Sequence, residues 1–312
     1  MSERLLSGQT IAITGGAGFI GSHIAEVASD RNHVTVFDNL SSGYEANIPE
    51  DVDFVHRDVG SISASDFADT DIVFHEAANV SITQSVDNPE YDAKENIIGL
   101  IRVLEAAKNA DVERVVTASS SSVYGSPERF PQREIDRQAP ESPYAAGKLS
   151  GEYYCQVYRE LHDLETICLR YFNVYGPRQR NDSPYSGVIS IFLDRATNGQ
   201  SLIIHGTGEQ TRDFIFVEDV VRANIRAATV DLPERVAYNV GTGTETSISE
   251  LADAVESVTD RSLEREFDSR RSGDVDRSVA AVTNAAEELG FSSRVSLEEG
   301  LERTLQWHQR DS

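Results

Sequence analysis

Tyr144 and Lys148, the ends of the string YAAGK, place a phenol and an ammonium four residues apart. On a helix that spacing puts both on one face. A free tyrosine titrates near about 10, too high for a base at neutral pH. A neighbouring ammonium favours the phenolate and lowers that value, so the pair could take a proton from a hydroxyl. Two features set it apart from an ordinary surface pair. The chain has only three lysines, Lys94, Lys108 and Lys148. A serine cluster, Ser119–Ser122, followed by Val123-Tyr124-Gly125, ends an apolar run upstream. A hydroxyl there could bridge a substrate hydroxyl and the tyrosine.

A second chemical signal lies near the N-terminus. Thr14–Gly21 reads TGGAGFIG and satisfies both G-x-x-G-x-x-G (Gly15, Gly18, Gly21) and G-x-G-x-x-G (Gly16, Gly18, Gly21). It follows an apolar run and opens a helical pattern at Phe19-Ile20, the context in which such a turn binds a dinucleotide. Glycines allow the tight turn and a close approach to pyrophosphate. The helix N-terminus adds free N–H groups and partial positive charge. Asp38 stands 17 residues after Gly21. Its carboxylate can accept from both adenosine ribose hydroxyls and would repel a 2′-phosphate, which points to NAD over NADP. The plainer reading is a turn residue. The positive nicotinamide ring would then add to Lys148 in favouring the phenolate.

These residues need a frame. Apolar runs at 9–14, 33–37, 53–56, 71–75, 114–118 and 166–171 read as strands. Segments 19–29, 91–110 and 144–161 read as helices, the second with a broad apolar face from Ile97, Ile98, Leu100, Ile101, Val103 and Leu104. Alternation of this kind predicts an α/β fold, a Rossmann-type doubly wound parallel sheet covered on both faces. Asp58 then follows the third strand, and Ala77 and Ala78 the fourth, at the strand ends that face a cofactor groove. The pattern changes after Gly176, and 260–277 mixes charges without periodicity. We expect an NAD-binding domain at 1–172, rejoined by 213–241, and a smaller C-terminal substrate domain from 173–212 and 242–312. No low-complexity linker separates them, so the cleft between them should hold the ligand.

A net charge of −24 argues against a nucleic-acid partner. An anionic substrate would need local arginines, and the other 25 of the 28 basic residues are arginine. Acid-rich, lysine-poor composition suggests a high-salt cytoplasm. Cys155 and Cys168 lack metal-ligand spacing and read as buried thiols in a reducing cytosol. The seven histidines are scattered and suggest no metal. No secretory signal or apolar run of roughly 20 residues is evident, so no membrane association is expected.

Several strings together resemble the extended short-chain dehydrogenase/reductases of the sugar-nucleotide group, closest to the UDP-glucose 4-epimerases. They are TGGAGFIG, DNLSSG (38–43), SSSSVYG (119–125), SPYAAGK (142–148), RYFNVYGPRQ (170–179), GTGEQTRDFIFVEDV (206–220), YNVGTG (238–243) and RSGDV (271–275). The resemblance implies that Tyr144 is the catalytic base, Lys148 its partner on the nicotinamide ribose, and Ser120 the active-site hydroxyl. It implies cofactor contacts from Asn39, Ser41, Ser42, Gly43, Val59, Asn96 and Phe172. Asn173, Arg212 and Arg271 would hold a nucleotide diphosphate, in keeping with the charge argument. Asp274 would hold the nucleotide ribose, and Ser278, a small residue, would admit N-acetylated sugars.

The reaction so implied is epimerisation at C4 of a nucleotide sugar, UDP-glucose/UDP-galactose or the N-acetyl forms, through a 4-keto intermediate. Related 4,6-dehydratases carry an acidic pair after the Ser120 position, and UDP-glucuronate decarboxylases a glutamate. Ser121 and Ser122 stand there instead. Those two activities are the alternatives. A non-catalytic NAD-binding sensor is less favoured, because such relatives lose the Tyr-x-x-x-Lys pair. The outer faces of the two long helices imply a homodimer.

Overall fold

The structure, a computed structural model, describes residues 6–180, 187–270 and 275–310. Seven strands form one sheet. They are β1 (Thr10–Thr14), β2 (His33–Asp38), β3 (Asp53–His56), β4 (Ile72–His75), β5 (Arg114–Ser120), β6 (Glu165–Tyr171) and a seventh, Ala237–Val240. The order is Ala237–Val240, β6, β5, β4, β1, β2, β3, with every pairing parallel. The chain leaves β1 toward β2 and returns to its other side as β4. This is the switch point at which open parallel sheets bind ligands, and TGGAGFIG occupies it.

The alternation of side chains explains the two faces. Ile11, Ile13, Ile72, Phe74, Val116, Ile167 and Leu169 meet Ile24 and Ala25 of helix α1 (Phe19–Ser29) and Val220, Ala223 and Ala227 of the Val217–Thr229 helix. Ala12, Val73, Val115 and Cys168 meet Leu100, Val103 and Leu104 of one long helix and Cys155 and Tyr158 of another. Both cysteines are buried free thiols. The seventh strand comes from the 213–241 segment and puts Tyr238 and Val240 into the first core. Ala285, Leu289 and Phe291 join the same core from further along the chain.

A second core centres on Tyr175, Phe192, Leu193, Phe216, Leu251, Val255 and Leu301. It lies among the helices Val188–Thr197, Ile248–Thr259 and Leu297–Arg310. Three small strand pairs trim it. Asn173–Tyr175 runs parallel to Phe214–Phe216, Leu202–His205 parallel to Arg265–Asp268, and Thr211–Arg212 antiparallel to Thr246–Ser247. The pairing of Arg265–Asp268 was not expected within 260–277. That strand is mostly exposed, so it carries no apolar alternation, and its ladder to Leu202–His205 defines it. Among the described residues no helix is long and apolar enough to cross a membrane.

The two long helices carry the site. One was expected unbroken at 91–110. It begins earlier, at Pro89, because the Asn88 side chain accepts from the Tyr91 N–H and proline suits the first helical position. It is also interrupted by a π turn, Lys94–Ile98, before continuing as Gly99–Asn109. The other, Pro143–His162, is capped by Ser142 accepting from the Ala145 N–H at 3.2 Å, with Pro143 in the first turn. That cap sets Tyr144 one residue into the helix. Asp163, at φ 52°, ends it.

An ion pair ties this helix to β6. Arg170 donates to Glu152 through Nε (2.8 Å) and Nη2 (2.7 Å), and both side chains are buried. Ser119 Oγ donates to the same carboxylate at 2.5 Å. Removing one partner leaves the other charge stranded. We expect Glu152→Leu to lower stability by about 3–5 kcal/mol, read as a fall in the denaturant midpoint. A loss below about 1 kcal/mol would show that the pair contributes nothing beyond a surface bridge.

Candidate active site

The glycines of the N-terminal turn divide by what surrounds them. Gly15 has φ 74°, and a Cβ there would sit 2.5 Å from the Ala77 nitrogen. At Gly16 it would meet Val36 at 2.6 Å, and at Gly21 the Gly15 carbonyl oxygen at 2.3 Å. Those three glycines are required by the fold itself. Gly18 differs: its φ is −79°, and the only heavy atom near a Cβ is the Gly15 oxygen at 3.1 Å. Gly18 is the N-cap of α1, with no side-chain cap and no acidic residue in the first turn. The Phe19, Ile20 and Gly21 N–H groups begin the helix, where no intrahelical partner exists. A bare donor end beside a glycine is what a pyrophosphate requires, so the residues present fit a dinucleotide.

Asp38 is buried at the end of β2. Its Oδ2 accepts from the Ala17 N–H at 3.0 Å and its Oδ1 from the Leu40 N–H at 2.8 Å, so it also braces the turn. Ser41 and Ser42 are exposed on this loop. Gly43 is pressed on Ala17, where a Cβ would come within 2.7 Å of backbone. Asn39 Nδ2 donates to Asp58 Oδ2 at 2.9 Å, and Asp58 Oδ1 accepts from the Gly60 N–H. The Asn39 hydrogen bond holds the Asp58 carboxyl below its ordinary range. Val59 is buried against Gly99. Loop 38–43, Asp58 and Val59 thus line the side of the turn away from Tyr144.

After β4, Ala77 lies beside Gly15, and Ala78 leads on to Asn79. Asn96, in the π turn, accepts from the Asn79 N–H (2.9 Å) and donates to the Asn79 carbonyl (3.0 Å) and to Asp92 Oδ1 (2.8 Å). Its amide therefore pins the 77–79 loop, and the π turn directs it there. His75 is buried, hydrogen-bonded to Thr14 Oγ1 at 2.7 Å, and burial lowers it to about 3, so it stays neutral.

Tyr144, Lys148 and Ser120 are brought together. Lys148 Nζ stands 5.9 Å from the centre of the Tyr144 ring and donates to the Ala118 carbonyl at 3.0 Å. One sequence expectation needs correction. In the protein alone the Tyr144 phenol is pushed up, not down. Burial is the main cause, the Ser120 hydroxyl opposes it, and Asp92 and Glu76 reinforce it. Lys148 does not offset this. Its ammonium points to a backbone carbonyl, and burial lowers its own titration despite Glu76 and Asp92.

Glu76 was missed by the sequence reading. Tyr171 Oη donates to its Oε1 at 2.8 Å, and burial raises the carboxyl to about 7. An acidic residue directly after a buried strand was the available signal. Ser122 lies beside Ser120, its hydroxyl buried and unpartnered. No carboxylate occupies position 121 or 122.

On the far side, Phe172 is buried with Val123, Tyr124 and Ala280. The Asn173 N–H donates to the Asp213 carbonyl at 3.0 Å. Arg212 is buried, one donor on the Thr211 carbonyl at 2.7 Å. Ser278 is buried between Thr211 and Gln132. Asp213 gathers the neighbouring segments, accepting from the N–H groups of Thr242, Gly243 and Ala280. Arg271 and Asp274 lie outside the described residues.

Residues 11–241 match the NAD dependent epimerase/dehydratase family, and the chain belongs to it. It is 39% identical to a putative UDP-glucose 4-epimerase of Methanocaldococcus jannaschii, over 97% of this chain and 99% of that protein. It is 39% identical to the UDP-glucose 4-epimerase of Mycolicibacterium smegmatis, over 96% and 98%. Among solved structures it is similar to the UDP-N-acetylglucosamine 4-epimerase of Methanobrevibacter ruminantium M1, in complex with UDP-N-acetylmuramic acid. The TM-score is 0.95 at 36% identity, covering 98% of this chain and 100% of that one.

Two predictions follow from the site. Gly18→Ala should lower the unfolding midpoint less than Gly21→Ala, since its Cβ meets the Gly15 oxygen at 3.1 Å and not 2.3 Å, and should weaken NAD binding at least about tenfold. Gly21→Ala should destabilise the fold by about 1–3 kcal/mol. Equal effects of both on stability would refute the division. Second, NAD in its oxidised form should move the Tyr144 phenolate transition to lower pH by at least about one unit. The measurement is a spectrophotometric titration of wild type minus Tyr144→Phe. An equal shift with the reduced nucleotide would exclude the ring charge as its cause.

Proposed function

We propose that this chain is an NAD-dependent nucleotide-sugar 4-epimerase acting on UDP-glucose and UDP-galactose, with the N-acetyl forms also accepted. The carrying observation is Tyr144 facing Ser120 beside Lys148, at the end of the groove that begins at Gly18, with no carboxylate at 121 or 122. The family membership and the epimerase relatives support it. Bound NAD supplies the hydride acceptor and donor. Tyr144 takes the proton of the sugar 4-hydroxyl, and Ser120 donates to that oxygen and orients it. Lys148 fixes the ribose and contributes positive charge. Asn96 keeps the 77–79 loop in place. Arg212, with Arg271 and Asn173, binds the diphosphate, and Asp274 the ribose of the nucleotide.

The lack of an acid next to Ser120 disfavours water elimination and decarboxylation alike, since each would need a further proton-transfer group there. The same reading assigns cofactor binding to 1–172 with 213–241 and substrate binding to 173–212 with 242–312. Ile98 on one long helix and Tyr153, Tyr154, Val157 and Leu161 on the other are exposed. On Pro143–His162 they fall on one stripe, which fits a homodimer closed by these helices. The buried thiols and acid-rich, lysine-poor charge fit a reducing, salt-rich cytoplasm.

The purified protein should interconvert UDP-glucose and UDP-galactose without added NAD, and have the mass of a dimer at high salt. Tyr144→Phe should lower kcat by about 10²–10⁴-fold. Ser278→Tyr should abolish conversion of UDP-N-acetylglucosamine while sparing UDP-glucose. A 4-keto-6-deoxy product would overturn the epimerase assignment, and inactivity of both proteins on the N-acetyl sugar would overturn the role of Ser278.

A further inference from the structure

Glu76 stands between the two ends of the site. Its backbone abuts the glycine turn: a Cβ on Gly15 would sit 2.7 Å from the Glu76 carbonyl carbon, and the Glu76 N–H donates to the Thr14 carbonyl at 2.9 Å. Its side chain runs the other way. The carboxyl accepts from Tyr171 Oη, which is itself hydrogen-bonded to Asn224 of the Val217–Thr229 helix (2.8 Å). It interacts electrostatically with Lys148 and Tyr144. The residue as a whole is half-buried, at the C-terminal end of β4. A dinucleotide reaching from Gly18 toward Tyr144 would cross the end of β4, where Glu76 follows the strand.

We propose that the Glu76 carboxylate sets the redox balance of the bound cofactor by favouring its oxidised, positively charged form. The inference rests on the cofactor and base assignments above and extends them. Oxidation of the sugar carbinol breaks its C–H and O–H bonds. The hydride, with its electron pair, goes to the nicotinamide and neutralises the ring charge; the proton goes to Tyr144. An anion beside the ring opposes that neutralisation and favours the return of the hydride. The 4-keto sugar is thereby kept short-lived. Lys148, Tyr171 and Tyr144 are the titratable groups around Glu76. Lys148 and the Tyr171 hydrogen bond favour its anion, while burial opposes it strongly enough that it titrates at about 7. The effect should therefore switch on as pH rises through neutrality.

The test is the ratio of affinities for oxidised and reduced NAD, measured by displacement on cofactor-stripped protein across pH. Wild type should prefer the oxidised form increasingly above neutrality. Glu76→Gln keeps a carbonyl for Tyr171 but no charge. It should flatten that pH step and shift the ratio toward the reduced form by about tenfold on the alkaline side. A substrate pulse should then leave more reduced cofactor in the variant, seen by its absorbance. Tyr171→Phe provides an independent arm: without its hydrogen bond the step should move to higher pH. An unchanged ratio in Glu76→Gln, or an unmoved step in Tyr171→Phe, overturns the proposal alone. Failure of wild type to bind either nucleotide overturns the site assignment as well.

Discussion

The site depends on one close approach, of the backbone after β1 to the backbone after β4. Gly15 lies so near Glu76 and Ala77 that no side chain fits between them. Parallel strands bring their C-terminal ends together, but a side chain at this point would hold them apart and widen the groove. With Gly15 in place, Gly21 can pack on its carbonyl and α1 can start where its donors face outward. Gly43 then presses on Ala17, and Asp38 takes the Ala17 N–H. The groove is thus made from backbone, with side chains closing it only at its ends.

The same packing determines the chemistry at the far end. Tyr144, Lys148 and Glu76 share a site that water does not fully reach, so each resists its charged form. Lys148 is directed to the Ala118 carbonyl and not to the phenol. The ligand-free arrangement therefore favours the neutral phenol. A positive ring entering this space would interact strongly with each of the three, because solvent screening there is weak. A base that ionised without the cofactor would hold an uncompensated buried anion, which the fold does not stabilise.

Legibility in the sequence followed the same physical division. The inner strands β1, β2, β4, β5 and β6 were readable because burial on both faces imposes apolar runs, the edge strand β3 was readable although it is only partly buried, and α1 matched residue for residue. Tyr144, Lys148 and Ser120 were readable because fixed secondary structure turns spacing into proximity. The π turn was not, because one extra residue in a turn leaves the apolar pattern of 91–110 nearly intact. Arg265–Asp268 was hidden because its partner strand, not its own side chains, buries the apolar surface. The share of Lys148 in the titration of Tyr144 was misjudged for a related reason. Spacing showed that Lys148 was near but not where its ammonium was engaged. Glu76 could be noticed in the sequence, but its partner Tyr171 is 95 residues away.

The link between β6 and the segment around 278–281 is polar, and this has a structural consequence. Arg170 on β6 donates to Tyr124 Oη, which donates to Asn239 Oδ1, both at 2.7 Å. Asn239 Nδ2 donates to the Gln132 carbonyl, and Gln132 Oε1 accepts from the Val279 N–H. The Gln132 N–H in turn donates to the Val279 carbonyl. Apolar packing alone would let the segment around 278–281 slide by a residue at little cost. A directional chain of buried hydrogen bonds penalises any such slip with unsatisfied donors and acceptors. The position of Ser278 is therefore set by the same network that anchors Arg170 to Glu152 and, through Ser119, reaches the strand end that carries Ser120. Ser278 and the strand end that carries Ser120 are thus held by one polar frame, while the apolar cores on either side supply its stability.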